Sequence, residues 1–220
     1  MNVLLDPQTL HDKDWAGVKS SDSFYAGSLR YPDIARVIAG LGPKRLLDVG
    51  CGSGYLASLV RSSLPAVRMD GADISEVALR RAAKQFEHVW QVNLDADPLP
   101  AETGAYDTAV CVEVLEHLYD PAHTLEGIRR CLSTGGRIVA TVPNLAFWRY
   151  RAALLLGRIP LAVSDPRHLH AFNPGAFSEL LERSGFSVTG IYGHGERFRF
   201  LARSWPGLFS DILIAVAEKK

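Results

Sequence analysis

The chain has 220 residues, 47% of them hydrophobic, with 24 Lys plus Arg against 24 Asp plus Glu. That length suits one domain, taken here as 1–220, and the composition is that of a folded protein rather than a disordered one. Zero net charge argues against a dedicated nucleic-acid binder, which needs a basic surplus to neutralise phosphates. The longest apolar runs, Ile212–Ala217 and Ala152–Leu156, are too short to span a bilayer. No signal peptide is visible, because Asp6, His11, Asp12, Lys13 and Asp14 come before any long apolar stretch. Cys51, Cys111 and Cys131 lack Cys-x-x-Cys spacing, against a disulfide framework or zinc ribbon. A cytoplasmic location is the expectation.

Arg45–Val49 reads as a buried strand, ended by Gly50-Cys51-Gly52-Ser53-Gly54. Tyr55–Leu64 follows as a helix with Leu56, Leu59, Val60 and Leu64 on one stripe. Val67–Asp73 is a second strand, and Ser75 is placed to cap a helix running to about Phe86. His88–Asn93, Tyr106–Cys111 and Gly136–Val142 read as three more strands. The helix over Ala122–Leu132 is expected to stop at Thr134-Gly135-Gly136. An insertion over about 144–184 holds two helices, Leu145–Leu156 and Gly175–Ser184, joined by Gly157–Asn173. Phe186–Tyr192 and Ile212–Ala217 close the chain across the turn-rich stretch Gly193–Ser210. With no crossover helix between them, the last strand should be antiparallel. Strands separated by helices indicate an α/β fold, its sheet covered on both faces.

A Gly-rich turn between strand and helix lets a ligand approach the backbone near the positive helix N-terminus. Here the spacing is Gly50-x-Gly52-x-Gly54, and Tyr55 stands where a dinucleotide fingerprint has its third glycine. Asp73 lies 23 residues after Gly50, where a carboxylate takes the hydroxyls of a ribose. Capping the next helix is the competing role for Asp73, and the two are compatible. Asn93-Leu94-Asp95 ends the third strand at the same carboxyl edge of the sheet.

The run Leu46-Leu47-Asp48-Val49-Gly50-Cys51-Gly52-Ser53-Gly54 resembles the first motif of the class I S-adenosylmethionine-dependent methyltransferases. Gly71-Ala72-Asp73-Ile74-Ser75 matches their ribose acid, Tyr106–Val110 their fourth strand and Gly135–Val139 the start of their fifth. The resemblance covers roughly residues 25–217. It implies a Rossmann-like seven-stranded sheet of order 3-2-1-4-5-7-6 with strand 7 antiparallel and helices on both faces. It also implies S-adenosyl-L-methionine as cofactor. Asp48, Gly50, Cys51, Gly52 and Gly54 would surround its methionine moiety, and Asp73 with Ile74 its ribose. Asn93, Leu94 and Asp95 would meet the adenine. The family commonly has Asp where Asn93 stands, so the adenine amino group falls to Asn93 or Asp95. Phe24, Tyr25, Arg30 and Tyr31 lie where the family closes over the cofactor, with Arg30 placed to pair with its carboxylate.

Cys111-Val112-Glu113-Val114-Leu115-Glu116-His117-Leu118 is the second unusual feature. If residues 113–118 are helical, Glu113, Glu116 and His117 share one face. Two carboxylates and an imidazole there suit an acid/base pair or a divalent metal; the competing reading has them bonding neighbouring backbone. Glu113-Val-Leu-Glu116-His117 also resembles the metal cluster of the small-RNA 3′-end 2′-O-methyltransferases, and a related pattern occurs in the O-methyltransferases of ubiquinone biosynthesis. The RNA enzymes take a further His from the later insertion. Here His168 and His170 are the candidates, with His168 favoured by its spacing to Phe177.

Pro143–Arg151 and Leu154–Arg158 resemble small bacterial methyltransferases that include the methionine-biosynthesis W-protein group. Packing on the sheet is the first reading of this Trp-, Leu- and Arg-bearing stretch; a lid, a homodimer face or a membrane-surface contact are the others. The expected activity is methyl transfer to a small-molecule acceptor, with oxygen as the receiving atom. His117 is the first candidate base and His168 the second, with Glu113 beside them. Glu113, Glu116, His117 and His168 form the candidate metal set. A metal-dependent RNA 2′-O-methyltransferase is the alternative enzyme, against which zero net charge counts, and a non-catalytic cofactor-binding regulator is the alternative outside catalysis.

Overall fold

The computed structural model describes residues 6–17, 29–160, 164–194 and 199–220. Seven strands form one sheet: β1 Arg45–Val49, β2 Arg68–Asp73, β3 His88–Gln91, β4 Tyr106–Val112, β5 Leu132–Pro143, β6 Phe186–His194 and β7 Ile212–Lys219. Their order is β3-β2-β1-β4-β5-β7-β6. The first five run parallel to one another, and β7 is antiparallel to both β5 and β6. This is the order the methyltransferase resemblance implied.

Side chains of the strands alternate between two buried faces. Leu46, Met69, Val110, Val139 and Ile214 point to one; Leu47, Ala72, Cys111, Ala140 and Ala215 point to the other. With both faces covered, near-continuous apolar strands are what the sheet requires. The first face is covered by α2 (Arg30–Leu41) and α3 (Tyr55–Ser63), through Ile34, Ile38, Leu56 and Val60, and by Leu79 of α4 (Glu76–Ala82). The second is covered by α5 (Pro121–Cys131) and by α7 (Pro174–Arg183), through Leu125, Ile128, Phe177 and Leu181. Between β5 and α7 lies α6 (Trp148–Leu155), and α8 (Arg199–Ser204) and α9 (Pro206–Phe209) lie between β6 and β7. The N-terminal α1 (Pro7–Ala16) is capped by Asp6, whose carboxylate accepts the Thr9 N–H. Among the described residues, no helix is long and apolar enough to cross a membrane.

Two expectations need correction. Thr134-Gly135-Gly136 does not stop α5, which ends at Cys131; Leu132 is already extended and pairs with Tyr106. The glycines instead serve a register shift of β5 against β4 between Tyr106 and Thr108, where Gly135 adopts φ 70°. Second, the stretch before β7 is partly helical. Its two short helices pack near β6, and the chain still returns antiparallel.

The loop carrying His168 and His170 is anchored where it meets the core. Phe172 is buried, its carbonyl accepts the Leu145 N–H, and its ring lies 5.9 Å from that of Phe177. Phe177 is fully buried on α7. Phe177→Ala should therefore destabilise the protein by about 3–5 kcal/mol, the cost of a large core truncation, read from the denaturant midpoint at unchanged slope.

Candidate active site at the carboxyl edge of the sheet

The turn after β1 needs glycine for its backbone: Gly50, Gly52 and Gly54 have φ of 78°, 51° and 77°. Gly50 also needs it for space, since a Cβ there would lie 2.2 Å from Cγ2 of Val114. The turn is held from the next strand. Asp73 accepts the Gly52 N–H at 2.8 Å on one oxygen and the Ser75 N–H at 2.9 Å on the other. Ser75, not Asp73, is the N-cap of α4: its hydroxyl accepts the Ala78 N–H and donates to Asp12 of α1 at 2.5 Å. The Val77 N–H adds a second bond to Asp12 at 3.2 Å. The carbonyl of Ile74 accepts from the Gln91 amide. Tyr31, in the first turn of α2, meets the ring of Tyr55 edge-on at 5.6 Å.

Burial controls the charges here. Asp48 is buried on β1, and loss of solvation, reinforced by Asp73, pushes its pKa up to about 7. Burial also raises Asp73, against the lowering effect of its backbone donors. The Cys51 thiol is driven well above its ordinary value, first by burial and then by Asp48, so it is an inert wall rather than a nucleophile.

At the end of β3, Leu94 is buried and Asn93 uses its side-chain oxygen to accept the Asp95 N–H. Asp95 reaches across the edge and accepts the Tyr119 N–H at 2.8 Å. Of the two expected adenine acids or amides, Asp95 thus holds the chain after β4 in place. Arg30 pairs with Glu113 at 3.0 Å, a partner inside the chain that the expectation of a cofactor carboxylate did not include. Tyr25, like Phe24, lies outside the described residues.

The shared helical face of Glu113, Glu116 and His117 does not form. Glu113 has φ 55°, the one positive value outside glycine among the described residues, and only a single 3₁₀ turn follows at Leu115–His117. The left-handed residue breaks the helical spacing and turns Glu113 toward β5. There its N–H donates to the Thr141 hydroxyl at 3.1 Å, and its carboxylate takes the Thr141 hydroxyl and Arg30 at 3.0 Å each.

Glu116 points elsewhere. It is 1% exposed, and among the described residues neither carboxylate oxygen has a hydrogen-bond partner. Burial, with Glu113 adding repulsion, lifts its pKa well above the usual carboxylate range. Its backbone carbonyl accepts the Leu169 and His170 N–H groups at 2.7 and 3.2 Å, which draws the insertion loop onto it. His117 Nδ1 lies 3.1 Å from the Arg167 carbonyl, and a carbonyl only accepts, so Nδ1 carries the proton. Nε2, left with its lone pair, is 4.0 Å from Glu116. Burial lowers the His117 pKa and keeps the ring neutral. The His168 ring lies 4.9 Å from that of His117, whereas His170 is bonded to the Leu118 carbonyl at 2.9 Å. Ligand atoms of Glu116, His117 and His168 all fall within 4.8 Å of one another; Glu113 is not in that group.

The sequence reading passed over Thr141, Val114, Asp12 and the pairing of Arg167 with Asp165 and Asp14, each at 2.8 Å. Asp165 and Arg167 stand out in the sequence as neighbours of His168, and Asp12 as an acid in a polar N-terminal segment, but nothing in the sequence ties Arg167 to Asp14 or Asp12 to Ser75.

A carboxyl whose pKa is higher folded than unfolded favours the unfolded state once it must ionise. Asp48 should therefore cost stability as pH rises from about 4, its unfolded value, through about 7. Asp48→Asn should flatten that slope and raise the stability of the cofactor-free protein at pH 8 by about 2–4 kcal/mol. Urea unfolding of both proteins at pH 5 and pH 8 checks it.

A family model described as a methyltransferase domain matches residues 28–190. The chain is 30% identical over 164 residues to a ubiquinone biosynthesis O-methyltransferase of Aromatoleum aromaticum, covering 70% of this chain and 69% of that one. It is 32% identical over 165 residues to the protein of the same name from Acinetobacter baylyi, at 70% and 68% coverage. Among solved structures, the N-methyltransferase NodS from Bradyrhizobium japonicum, in complex with S-adenosyl-L-homocysteine, shares the fold at a TM-score of 0.65 and 15% identity, over 96% of this chain and 97% of that one. The sheet order, the glycine turn and these matches agree: the chain belongs to the methyltransferase-domain family and is an enzyme that uses S-adenosyl-L-methionine as its methyl donor.

Proposed function

We propose that this methyltransferase moves the methyl group to an oxygen of a small-molecule acceptor beside Glu116, His117 and His168. One observation carries the reading: a carboxyl group buried, among the described residues, without a hydrogen-bond partner, next to a neutral imidazole whose tautomer is fixed. A buried polar group left unsatisfied is costly and is kept where chemistry uses it. The names of the relatives, which are O-methyltransferases, support oxygen as the acceptor atom.

The donor supplies an electrophilic methyl group on a sulfonium centre. In this reading the bare backbone of Gly50, Gly52 and Gly54, with Asp48 and Cys51 behind it, holds the methionine end. Asp73 has two lone-pair sites beyond the pair already bonded, which suits two ribose hydroxyls, with Ile74 alongside. Asn93 and Leu94 border the adenine while Asp95 fixes the loop. Arg30 keeps donors beyond the one on Glu113 for a carboxylate. Val114 packs against Gly50 and so sets the cluster directly behind the turn. The acceptor oxygen forms its bond to the methyl carbon as the methyl–sulfur bond breaks, His117 takes the acceptor's hydroxyl proton at Nε2, and Glu116, 4.0 Å from that nitrogen, keeps the ring oriented. Glu113, held by Arg30 and Thr141, positions rather than reacts.

Glu116, His117 and His168 also fit a divalent cation, offering one oxygen and two nitrogens where Glu116 has no other hydrogen-bond partner among the described residues. Such an ion would acidify the acceptor hydroxyl; the mixed donors do not select one metal.

Methyl transfer should yield an O-methylated product detectable by mass spectrometry. His117→Ala should lower turnover by about 10²–10⁴-fold while leaving cofactor affinity nearly intact. Full turnover in a folded His117→Ala protein, or a product methylated on nitrogen or carbon, would overturn the reading. Turnover unchanged by exhaustive chelation would remove the cation and leave the acid/base pair.

A further inference from the structure

We infer that the segment around α6 is a membrane-contact patch that seats the chain on an anionic lipid surface. Over residues 144–164 the sequence has Arg149, Arg151 and Arg158 and not one Asp or Glu, although the chain as a whole is neutral. Helix α6 has no buried residue. Leu154, Leu155 and Leu156 are 54%, 89% and 71% exposed, and Ile159 is 75% exposed. Leu154 and Leu155 lie about 100° apart on the last turn of α6, and Leu156, its C-cap, extends the apolar surface beyond the helix end. With no buried residue on the helix and apolar side chains exposed at and beyond its end, these leucines form a surface patch rather than a core face. Apolar side chains among arginines suit the boundary between phosphate headgroups and hydrocarbon.

The root of the segment is fixed to the stretch before β7, which carries a second set of exposed aromatics. Asn144, buried at the end of β5, donates its amide to the carbonyls of Gly207 and Ser210 at 3.1 and 2.7 Å, beside α9. There Phe200 of α8 and Trp205 are exposed, next to exposed Arg203. Both sets sit at the carboxyl edge of the sheet, so the membrane would lie on the side of the active site. A second copy of this chain is the poorer occupant: a two-fold interface sets the same patch against itself, three arginines facing three. The inference does not depend on the acceptor or on His117.

The test uses the full chain with vesicles of phosphatidylcholine alone and of phosphatidylcholine mixed equally with phosphatidylglycerol. The protein should sediment with the anionic vesicles and not the neutral ones, less so at high salt. Leu155→Glu should lower the bound fraction at least about ten-fold, because it puts a charge where an apolar side chain was buried in lipid. Arg149→Ala with Arg158→Ala should lower it by about 25-fold, at about five-fold per arginine. Both sites are exposed, so melting temperatures should match wild type. Failure to bind anionic vesicles, or equal binding by folded Leu155→Glu, would overturn the inference. So would a wild-type dimer that light scattering shows to become monomeric in Leu155→Glu, since the patch would then be a protein interface.

Discussion

Both oxygens of Asp73 accept backbone hydrogens, one from Gly52 in the turn after β1 and one from Ser75 before α4. That bridge adds to the backbone bonds of a turn of three left-handed glycines, in which the Gly50 and Cys51 N–H groups donate to the Ala72 carbonyl at 2.7 and 3.0 Å and the Gly54 N–H to the Cys51 carbonyl at 3.0 Å. It also fixes Ser75, which caps α4 and receives α1 through Asp12. A carboxylate accepting backbone donors is favoured in its charged form, so the bridge offsets part of what burial takes from Asp73. On the proposed assignment of this turn to the cofactor, contacts fixed within the chain itself lower the ordering cost of binding.

From that turn the constraint passes to the chemistry. Gly50 has no room for a side chain because Val114 fills the space, and Val114 sits between strained Glu113 and the 3₁₀ turn of Glu116 and His117. Glu113 is held in its left-handed conformation by Thr141 and Arg30, strain of the sort found where function over-determines geometry. The insertion loop is drawn in by the Glu116 carbonyl and braced by Arg167 on Asp14 of α1. Helix α1 therefore touches both halves of the cleft, through Asp12 on one side and Asp14 on the other.

The fold was legible because its signals are periodic and local. Strands buried on both faces read as apolar runs, and Gly50-x-Gly52-x-Gly54 with Asp73 carried the family resemblance. Helix ends were less so: Gly135-Gly136 has the composition of a C-cap and serves a strand irregularity. The site was legible as a set of residue types but not as a geometry. Helical spacing put Glu113 with His117, and one left-handed residue separates them. The sequence favours His168 over His170 by spacing; in the structure the His168 ring lies 4.9 Å from that of His117, and His170 is bonded to the Leu118 carbonyl. Thr141, Val114 and the α1 contacts join residues far apart in the chain, and no local pattern announces such pairs.

We propose that Asp73 has two roles, shaping the glycine turn and receiving the ribose. Calorimetric titration of S-adenosyl-L-homocysteine into wild type and Asp73→Ala, with the unfolding midpoint of each measured in parallel, tests it most directly. The account predicts affinity weakened by about 1–3 kcal/mol, the range for hydrogen bonds to a charged group, in a variant that still folds. Equal affinity in the two proteins would contradict it.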